Sequence, residues 1–388
     1  EPIDILSVSA KLKEIEKLDA IGGRAYLTTL VNSVPTASHV AHYAEIVHKK
    51  SILRGLIDKS YEISDLAKQE DKEIDWLLDE AEQKIFSISK NSLRQDFTPI
   101  ENVLGSVFER TEKIHREGGG LRGVATGFKS LDKILSGLQQ SDLIVLAARP
   151  SLGKTSLALD IARHVALREK KAVGIFSLEM PKEQVTERML ASEAMISLHG
   201  MRTGKLSMEG EDSDFERLAA AIDKLNDAPI FIDDSATQNI VQMRAMARRL
   251  QARNELGLIV VDYLQLMTPR THSDSMVQQI TEISRSLKGL ARELSTPVLA
   301  LSQLSRAVEQ RPNQIPKLSD LRESGSIEQD SDVVMMIYRP DRVKESAEKN
   351  VAELIIAKHR NGPIGKVPLY FNESSVSFTD IERNLEEN

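Results

Sequence analysis

The chain has 388 residues, 41% of them hydrophobic, and carries a formal net charge of -7 at a sequence pI near 5.8. Its length predicts two domains, or one large and one small, and its acidic balance argues against a protein coated in positive charge for duplex DNA, while leaving room for nucleic acid held locally in a ring or groove. The longest apolar runs, such as residues 256–261, are too short to cross a bilayer, and the absence of cysteine excludes disulfides and thiolate zinc sites, which fits a reducing cytoplasm. Residue 1 is Glu rather than Met, so the opening residues of the native protein are expected to be missing, and a signal there would not be seen.

Residues 1–92 are expected to form a small all-α domain. Apolar positions such as Ile52, Leu53, Leu56 and Ile57, then Ile74, Leu77, Leu78 and Ile85, recur at helical spacing, and the turn residues at 22–23 and 32–35 break the segment into short helices. His39, His42 and Glu45 share that spacing, but one face of a helical domain explains them, and no metal is assigned there. Residues 93–120 form a linker whose helix starts near Thr98-Pro99 and ends at three glycines, with Val103, Leu104, Val107, Phe108 and Ile114 along one side. That stripe has no evident cover in its own domain. A groove on a neighbouring subunit and a fold-back onto its own chain are both open readings.

Residues 121–388 read as an α/β domain with a mostly parallel sheet. Apolar runs at 143–147, 172–177, 229–232, 258–261 and 298–301 are the expected strands. Amphipathic helices are expected at 155–169, 240–254 and 276–294. Segments 333–338, 351–357 and 366–371 follow without long helices and predict added strands or hairpins. The cations Arg244, Arg248 and Arg249 on the second of those helices read as a solvated face or an interface.

The most informative stretch is ARPSLGKT at 148–155, directly after the first strand. Nucleotide phosphates need converging backbone NH groups, a lysine on the β and γ oxygens, and a hydroxyl for Mg²⁺. Gly153, Lys154 and Thr155 supply these, and Ser151 and Ser156 flank them as further nucleotide-binding positions. The first glycine of the usual G-x-x-x-x-G-K-[ST] pattern is Ala148 here, an imperfect match. In open α/β sheets ligands bind beyond the carboxyl ends of strands, and those positions carry Glu179, Asp262 and Gln303. Glu179 is placed to polarise an attacking water, Asp262 to hold Mg²⁺ through water together with Thr155, and Gln303 to sense the γ-phosphate. Taken one at a time, each could be an ordinary turn residue.

Lys358 and Arg360 alternate around His359, so a period of two sends both heads to one face. They read either as cations lent to a neighbouring subunit's ATP or as charges protecting an edge strand. Trp76 and the low aromatic content give no sign of a base-stacking platform, so phosphate contacts should dominate any binding of nucleic acid.

The ordered series TGFKSLD (126–132), AARPSLGKT (147–155), SLEM (177–180), VDYLQ (261–265), LSQLSR (301–306), DLRESGSIEQD (320–330) and KHRNG (358–362) closely resembles the bacterial replicative DNA helicases of the DnaB family. Segments NSVPT (32–36) and HYAEI (42–46) extend the likeness into the helical domain. In that family Ala148 is an accepted occupant of its loop position. The resemblance implies a RecA-like ATP-hydrolysing motor in a cytoplasmic homohexamer at the replication fork, with ATP and Mg²⁺ between subunits and single-stranded DNA in a central channel, traversed 5′ to 3′.

By position, the resemblance implies that Lys154 and Thr155 hold phosphates and Mg²⁺, that Glu179 is the base, Asp262 the Mg²⁺-linked acid and Gln303 the sensor, and that Lys358 and Arg360 act in trans. It implies that the linker helix docks on the adjacent motor domain, and that primase, through the helical domain, and a helicase loader are partners. DNA contact falls to the loop around Arg322, Glu323 and Gly325, where a cation and backbone NH groups meet phosphates without reading bases. Composition alone reads that loop as a polar turn. The segment 267–277 is a second candidate for the channel. Two other classes remain to be weighed: a RecA-like recombinase without processive unwinding, and an interaction scaffold with a decayed nucleotide site.

Overall fold

The computed structural model describes residues 5–33, 40–69, 77, 80–81, 84–85, 99–116, 121–208, 210, 212–235, 239–267, 275–321, 325–343 and 347–381. The chain divides into two compact units, Glu1–Val103 and Leu104–Asn388. Among the described residues no helix is long and apolar enough to cross a membrane.

The first unit contains helices α1 (Ile5–Glu14), α2 (Gly23–Ser33) and α3 (Val40–Leu66). Gly22 and Gly23, with φ of +97° and +70°, make the left-handed turn that separates α1 from α2. Leu27 is buried, whereas Leu6, Val31, Val47, Ile57 and Tyr61 are exposed. The side chains of His39, His42, Glu45 and Trp76 lie outside the described residues. Helix α4 (Glu101–Arg116) leaves Val103, Leu104 and Val107 exposed and Phe108 69% exposed. The Ile114 side chain lies outside the described set.

The second unit is built on a nine-stranded sheet of order β3-β2-β4-β5-β1-β6-β7-β8-β9. Its strands are β1 (Leu143–Ala148), β2 (Ala172–Ser177), β3 (Ile230–Asp233), β4 (Leu256–Asp262), β5 (Val298–Gln303), β6 (Val333–Tyr338), β7 (Val351–His359), β8 (Gly365–Asn372) and β9 (Ser377–Asp380). The first six are mutually parallel, and β7, β8 and β9 add as antiparallel neighbours. Helices α5 (Lys129–Leu135), α6 (Lys154–Leu167), α7 (Lys182–Ala194), α8 (Leu198–Thr203), α9 (Asp214–Asn226), α10 (Ile240–Arg253), α11 (Met276–Leu294) and α12 (Gly325–Asp330) complete the unit.

Parallel strands covered on both faces should be apolar at every position, and all six residues of β1 are buried. Alternation splits them between two cores. Ile144, Leu146 and Ala148 join Leu157, Ile161 and Val165 of α6 on one face, while Leu143, Val145 and Ala147 join Met243 of α10 and Leu287 and Leu290 of α11 on the other. The expected α/β class is what the structure has. Several expected strands run longer at their ends, β4 by two residues at the front and one at the back and β5 by two at the back, because backbone pairing is not confined to the continuous apolar run. The helices between β2 and β3 and the short strand β9 had no place among the expected elements.

β9 matters to the site. The Phe378 amide donates to the buried Asp160 carboxylate of α6 at 2.7 Å, and the Phe378 ring packs on Phe371 of β8 with centroids 4.7 Å apart. The Arg339 guanidinium covers Phe371 at 4.8 Å, is only 1% exposed, and forms a two-pronged bond to Asp341 at 2.9 and 2.7 Å. Removing one partner of a buried pair strands the other. Arg339→Met is therefore expected to destabilise the protein by about 3 kcal/mol, read as a lower denaturation midpoint in urea.

Candidate active site

The loop between β1 and α6 is shaped to receive phosphates. Ser151 and Gly153 take positive φ of 65° and 95°, and Gly153 caps α6 with no side-chain bond. The first helical bond is donated by the Leu157 amide to Gly153 O, so the amides of Lys154, Thr155 and Ser156 have no partner within α6. Those NH groups, together with the positive end of the helix dipole, form an anion site. A Cβ on Gly153 would meet the Phe378 ring at 2.8 Å and the Phe371 ring at 3.2 Å. The aromatic floor laid by β8 and β9 thus forbids any side chain at Gly153, and this keeps the cradle open.

Four neighbouring strands converge here. Thr155 Oγ1 donates to Asp262 Oδ2 at 2.7 Å, and Lys154 Nζ lies 3.6 Å from Asp262 Oδ1 and 4.4 Å from the centroid of the Tyr263 ring. Asp262, the last residue of β4, is only 3% exposed, and its Oδ1 has no hydrogen-bond partner among the described residues. Burial pulls the Lys154 pKa below that of an ordinary lysine, while the carboxylates of Asp262 and Glu179 pull it back. A buried carboxylate oxygen that meets only the Lys154 ammonium, at ion-pair distance, next to a hydroxyl at the mouth of a phosphate loop, fits a hard divalent cation accompanying a nucleotide.

Glu179 sits two residues past β2. It is held beside Asp262 because the Leu178 amide donates to Asp262 O at 2.7 Å, and its side chain is exposed. Gln303 ends β5 opposite Ala148 in register and is also exposed. The structure therefore brings Ser151, Gly153, Lys154, Thr155, Ser156, Glu179, Asp262 and Gln303 to one end of the sheet.

Sequence reasoning missed Arg188 on α7. Its pKa is lowered by burial and further by Arg202, against the pull of Asp262 and Glu179, and its Nε is buried without a hydrogen-bond partner among the described residues. The signal needs the packing to be read: Val185, Arg188, Met189 and Ser192 share a helical stripe, and the other three are buried. A cation on the inward face of a helix that follows the Glu179 turn is out of place unless an anion meets it.

Lys358 and Arg360 lie elsewhere. β7 runs antiparallel to β6, pairing Val333 with His359, so its carboxyl end reaches the amino ends of the parallel strands. Arg360 Nη1 contacts Asp332 Oδ1 at 3.3 Å, and the same carboxylate accepts from the Leu143 amide at 2.9 Å, where β1 begins. The phosphate loop stands at the other end of β1, about 20 Å away at roughly 3.3 Å per residue. Arg360 is 61% exposed. Lys358 Nζ donates to the carbonyls of Ser331 at 2.6 Å, Gln329 at 3.3 Å and Glu328, which occupies all three ammonium donors. Burial lowers the Lys358 pKa, and Arg360 adds to that shift.

Of the proposed DNA loop, Arg322 and Glu323 lie outside the described residues, and Gly325 opens α12. Most of the segment 267–277 is likewise outside them. Arg244 and Arg248 of α10 pair with Glu293 of α11.

A phosphate loop at the carboxyl end of a central parallel strand, with two carboxylates and an amide from three adjacent strands, defines a RecA-like P-loop ATPase fold. Family models narrow the class: the DnaB-like helicase C terminal domain matches residues 123–380, and the DnaB-like helicase N terminal domain matches residues 1–49. The chain is 46% identical to the replicative DNA helicase DnaB of Geobacillus stearothermophilus over 389 residues, covering 100% of this chain and 85% of that protein. It is 44% identical to the replicative DNA helicase DnaC of Bacillus subtilis (strain 168), with the same coverage.

Among solved structures, one titled as a DnaB-like replicative helicase and its interactions with primase superposes with a TM-score of 0.75 at 34% identity, covering 98% of this chain and 88% of that one. The chain belongs to the DnaB-like replicative DNA helicase family, a family of ATP-dependent DNA helicases. Matches in both the amino- and carboxyl-terminal domains support that reading over a recombinase.

Gly153→Ala would force a left-handed φ onto a residue with a side chain and push that side chain into two rings. It is expected to weaken binding of a fluorescent ATP analogue by about tenfold or more, checked by equilibrium titration.

Proposed function

We propose that this protein is a replicative DNA helicase that hydrolyses ATP to translocate 5′ to 3′ on single-stranded DNA and unwind the duplex at the replication fork. The observation that carries the reading is the assembled site around the Thr155–Asp262 bond, coupled with the position of Arg360 at the far end of the same sheet. A cation facing outward there cannot reach its own chain's phosphates, but in a ring of identical subunits it faces the next one. ATP thus lies between subunits of a homohexamer.

The loop amides of Ser151 to Ser156 and Lys154 bind and orient the phosphates. Thr155 and Asp262 would hold Mg²⁺, which would supply positive charge to the phosphate oxygens. Glu179 accepts a proton from the attacking water as the bond from that water's oxygen to the γ-phosphorus forms and the bond from the γ-phosphorus to the bridging oxygen breaks. Gln303 reads the γ-phosphate. Arg188 in cis, with Arg360 and Lys358 in trans, offsets the developing charge. Because Lys358 is occupied by the carbonyls of Glu328, Gln329 and Ser331, its trans contact requires it to leave them.

Single-stranded DNA is proposed to run past Arg322, Glu323 and Gly325, held by phosphate contacts that are blind to sequence. The domain scheme is a helical domain at 1–92, a linker at 93–120 and the motor at 121–388. The exposed stripe of α4 is proposed to dock on a neighbouring motor, where Phe215 and Ile222 of α9, two turns apart and both exposed, offer apolar surface. Primase, engaged through the helical domain, is proposed from the solved relative whose title names it, and a helicase loader from the family resemblance alone. The protein acts at the cytoplasmic replication fork.

A forked-duplex assay tests the reading. ATP-dependent strand separation is expected, and active hydrolysis without unwinding would refute it. In the same assay Glu179→Ala should lower hydrolysis by about a hundredfold or more and stop unwinding while ATP still binds, because the phosphate cradle is untouched.

A further inference from the structure

Arg149 is the second residue of the phosphate loop, yet its guanidinium is engaged with the segment that follows Gln303. Nη1 donates to Leu304 O at 2.8 Å, Nε donates to Glu309 Oε1 at 2.8 Å, and Nη2 lies 2.7 Å from the same Glu309 oxygen. The Leu304 amide donates back to Ala148 O at 3.1 Å. The loop thus grips both the amide and the carbonyl of the residue after the sensor. The Arg149 side chain is 13% exposed and that of Glu309 is 51% exposed.

The connection continues in one direction. The Ser305 amide donates to Asp320 O at 2.9 Å. The buried Asp320 carboxylate accepts from the Lys317 amide at 2.7 Å and from Arg311. Leu321 is buried, and the next residue is Arg322. Residues 304–321 are therefore anchored at one end to the phosphate loop and at the other to the start of the proposed DNA segment.

An ion pair with one half-exposed partner contributes little to folding stability, so stability does not explain its geometry. What the planar, forked guanidinium adds is orientation, fixing two acceptors at once. We infer that Arg149 and Glu309 form a positioning clasp that couples the nucleotide state of the chain's own site to its hold on single-stranded DNA through residues 304–321. The clasp touches neither phosphate nor DNA. It sets the segment that lies between Gln303 and Arg322, so that a change at the γ-phosphate alters the presentation of the DNA-contacting residues. The inference rests on the roles proposed above for Gln303 and for the loop at 322–325.

Coupling between two sites is measured as a ratio of affinities. The affinity of the full-length protein for a fluorescent oligothymidine is to be measured with ADP and with a non-hydrolysable ATP analogue, alongside ATP turnover with and without DNA. In Glu309→Ala the ratio of the two affinities should fall by about fivefold or more, and DNA stimulation of turnover should fall with it. DNA-free kcat and KM for ATP should stay within about twofold. Glu309→Asp, which keeps the carboxylate, should hold the ratio within about twofold of the parent.

An unchanged ratio in Glu309→Ala would overturn the clasp. An equal loss of DNA-free and DNA-stimulated turnover would also overturn it, since it would mark general damage. Arg322→Ala separates the two readings. Weaker DNA binding there with an unchanged ratio in Glu309→Ala removes the clasp alone, whereas undiminished DNA affinity in Arg322→Ala removes the DNA loop and the clasp with it.

Discussion

Six parallel strands end on one side of the sheet, and that shared direction puts the last residues of β1, β2, β4 and β5 side by side. The Thr155–Asp262 bond, between residues 107 apart in the chain, exists because β4 and the helix after β1 deliver their ends to the same place. Reversing direction at β7 has the opposite effect. It returns the chain to the amino ends of the strands and leaves Arg360 beside Leu143, the residue of β1 farthest from the phosphate loop. One backbone rule therefore gathers the residues around the phosphate loop and keeps Arg360 apart from them, and under the proposed function that separation suits an assembly in which one subunit completes the next.

Much of this was legible in the sequence. Buried parallel strands are apolar at every position, so β1, β2 and β4 stood out as runs, and the residues just past them were the natural place to look for an acid and a base. Strand ends were less legible, because pairing extends past the apolar run into residues such as Ser302 and Gln303. β9 is four residues long with Thr379 and Asp380 among them, too short and mixed to signal a strand, yet its Phe378 makes glycine obligatory at Gly153. Arg188 was readable as a cation on a buried helical stripe, but only after the face of α7 that packs inward was known. The pairing of Arg149 with Glu309 spans 160 residues and leaves no local pattern at all.

The bonds around Lys358 and Arg149 give the motor two linkages to the same short segment. In sequence, residues 322–324 lie between Leu321, reached from the phosphate loop through Leu304 and Asp320, and α12, where the carbonyls of Glu328 and Gln329 accept from Lys358. Under the proposed function one linkage leads to the chain's own nucleotide and the other to the neighbour's. A polar contact that must be broken for a cation to act elsewhere behaves as a two-position element rather than a spring. Sequence-blind phosphate contacts suit such an element, since the motor needs only to hold and release a backbone.

The central claim is that each ATP site is completed by the next subunit, and mixed rings test it most directly. Arg360→Ala subunits keep an intact phosphate loop, and Lys154→Ala subunits keep an intact finger, so each should be nearly inactive alone. Mixing them creates interfaces in which an intact Lys154 faces an intact Arg360. The account predicts that ATP hydrolysis recovers on mixing, with a maximum at intermediate ratios, in preparations where subunit exchange is verified by labelled protomers. Hydrolysis that stays at the level of the separate variants at every ratio would contradict it.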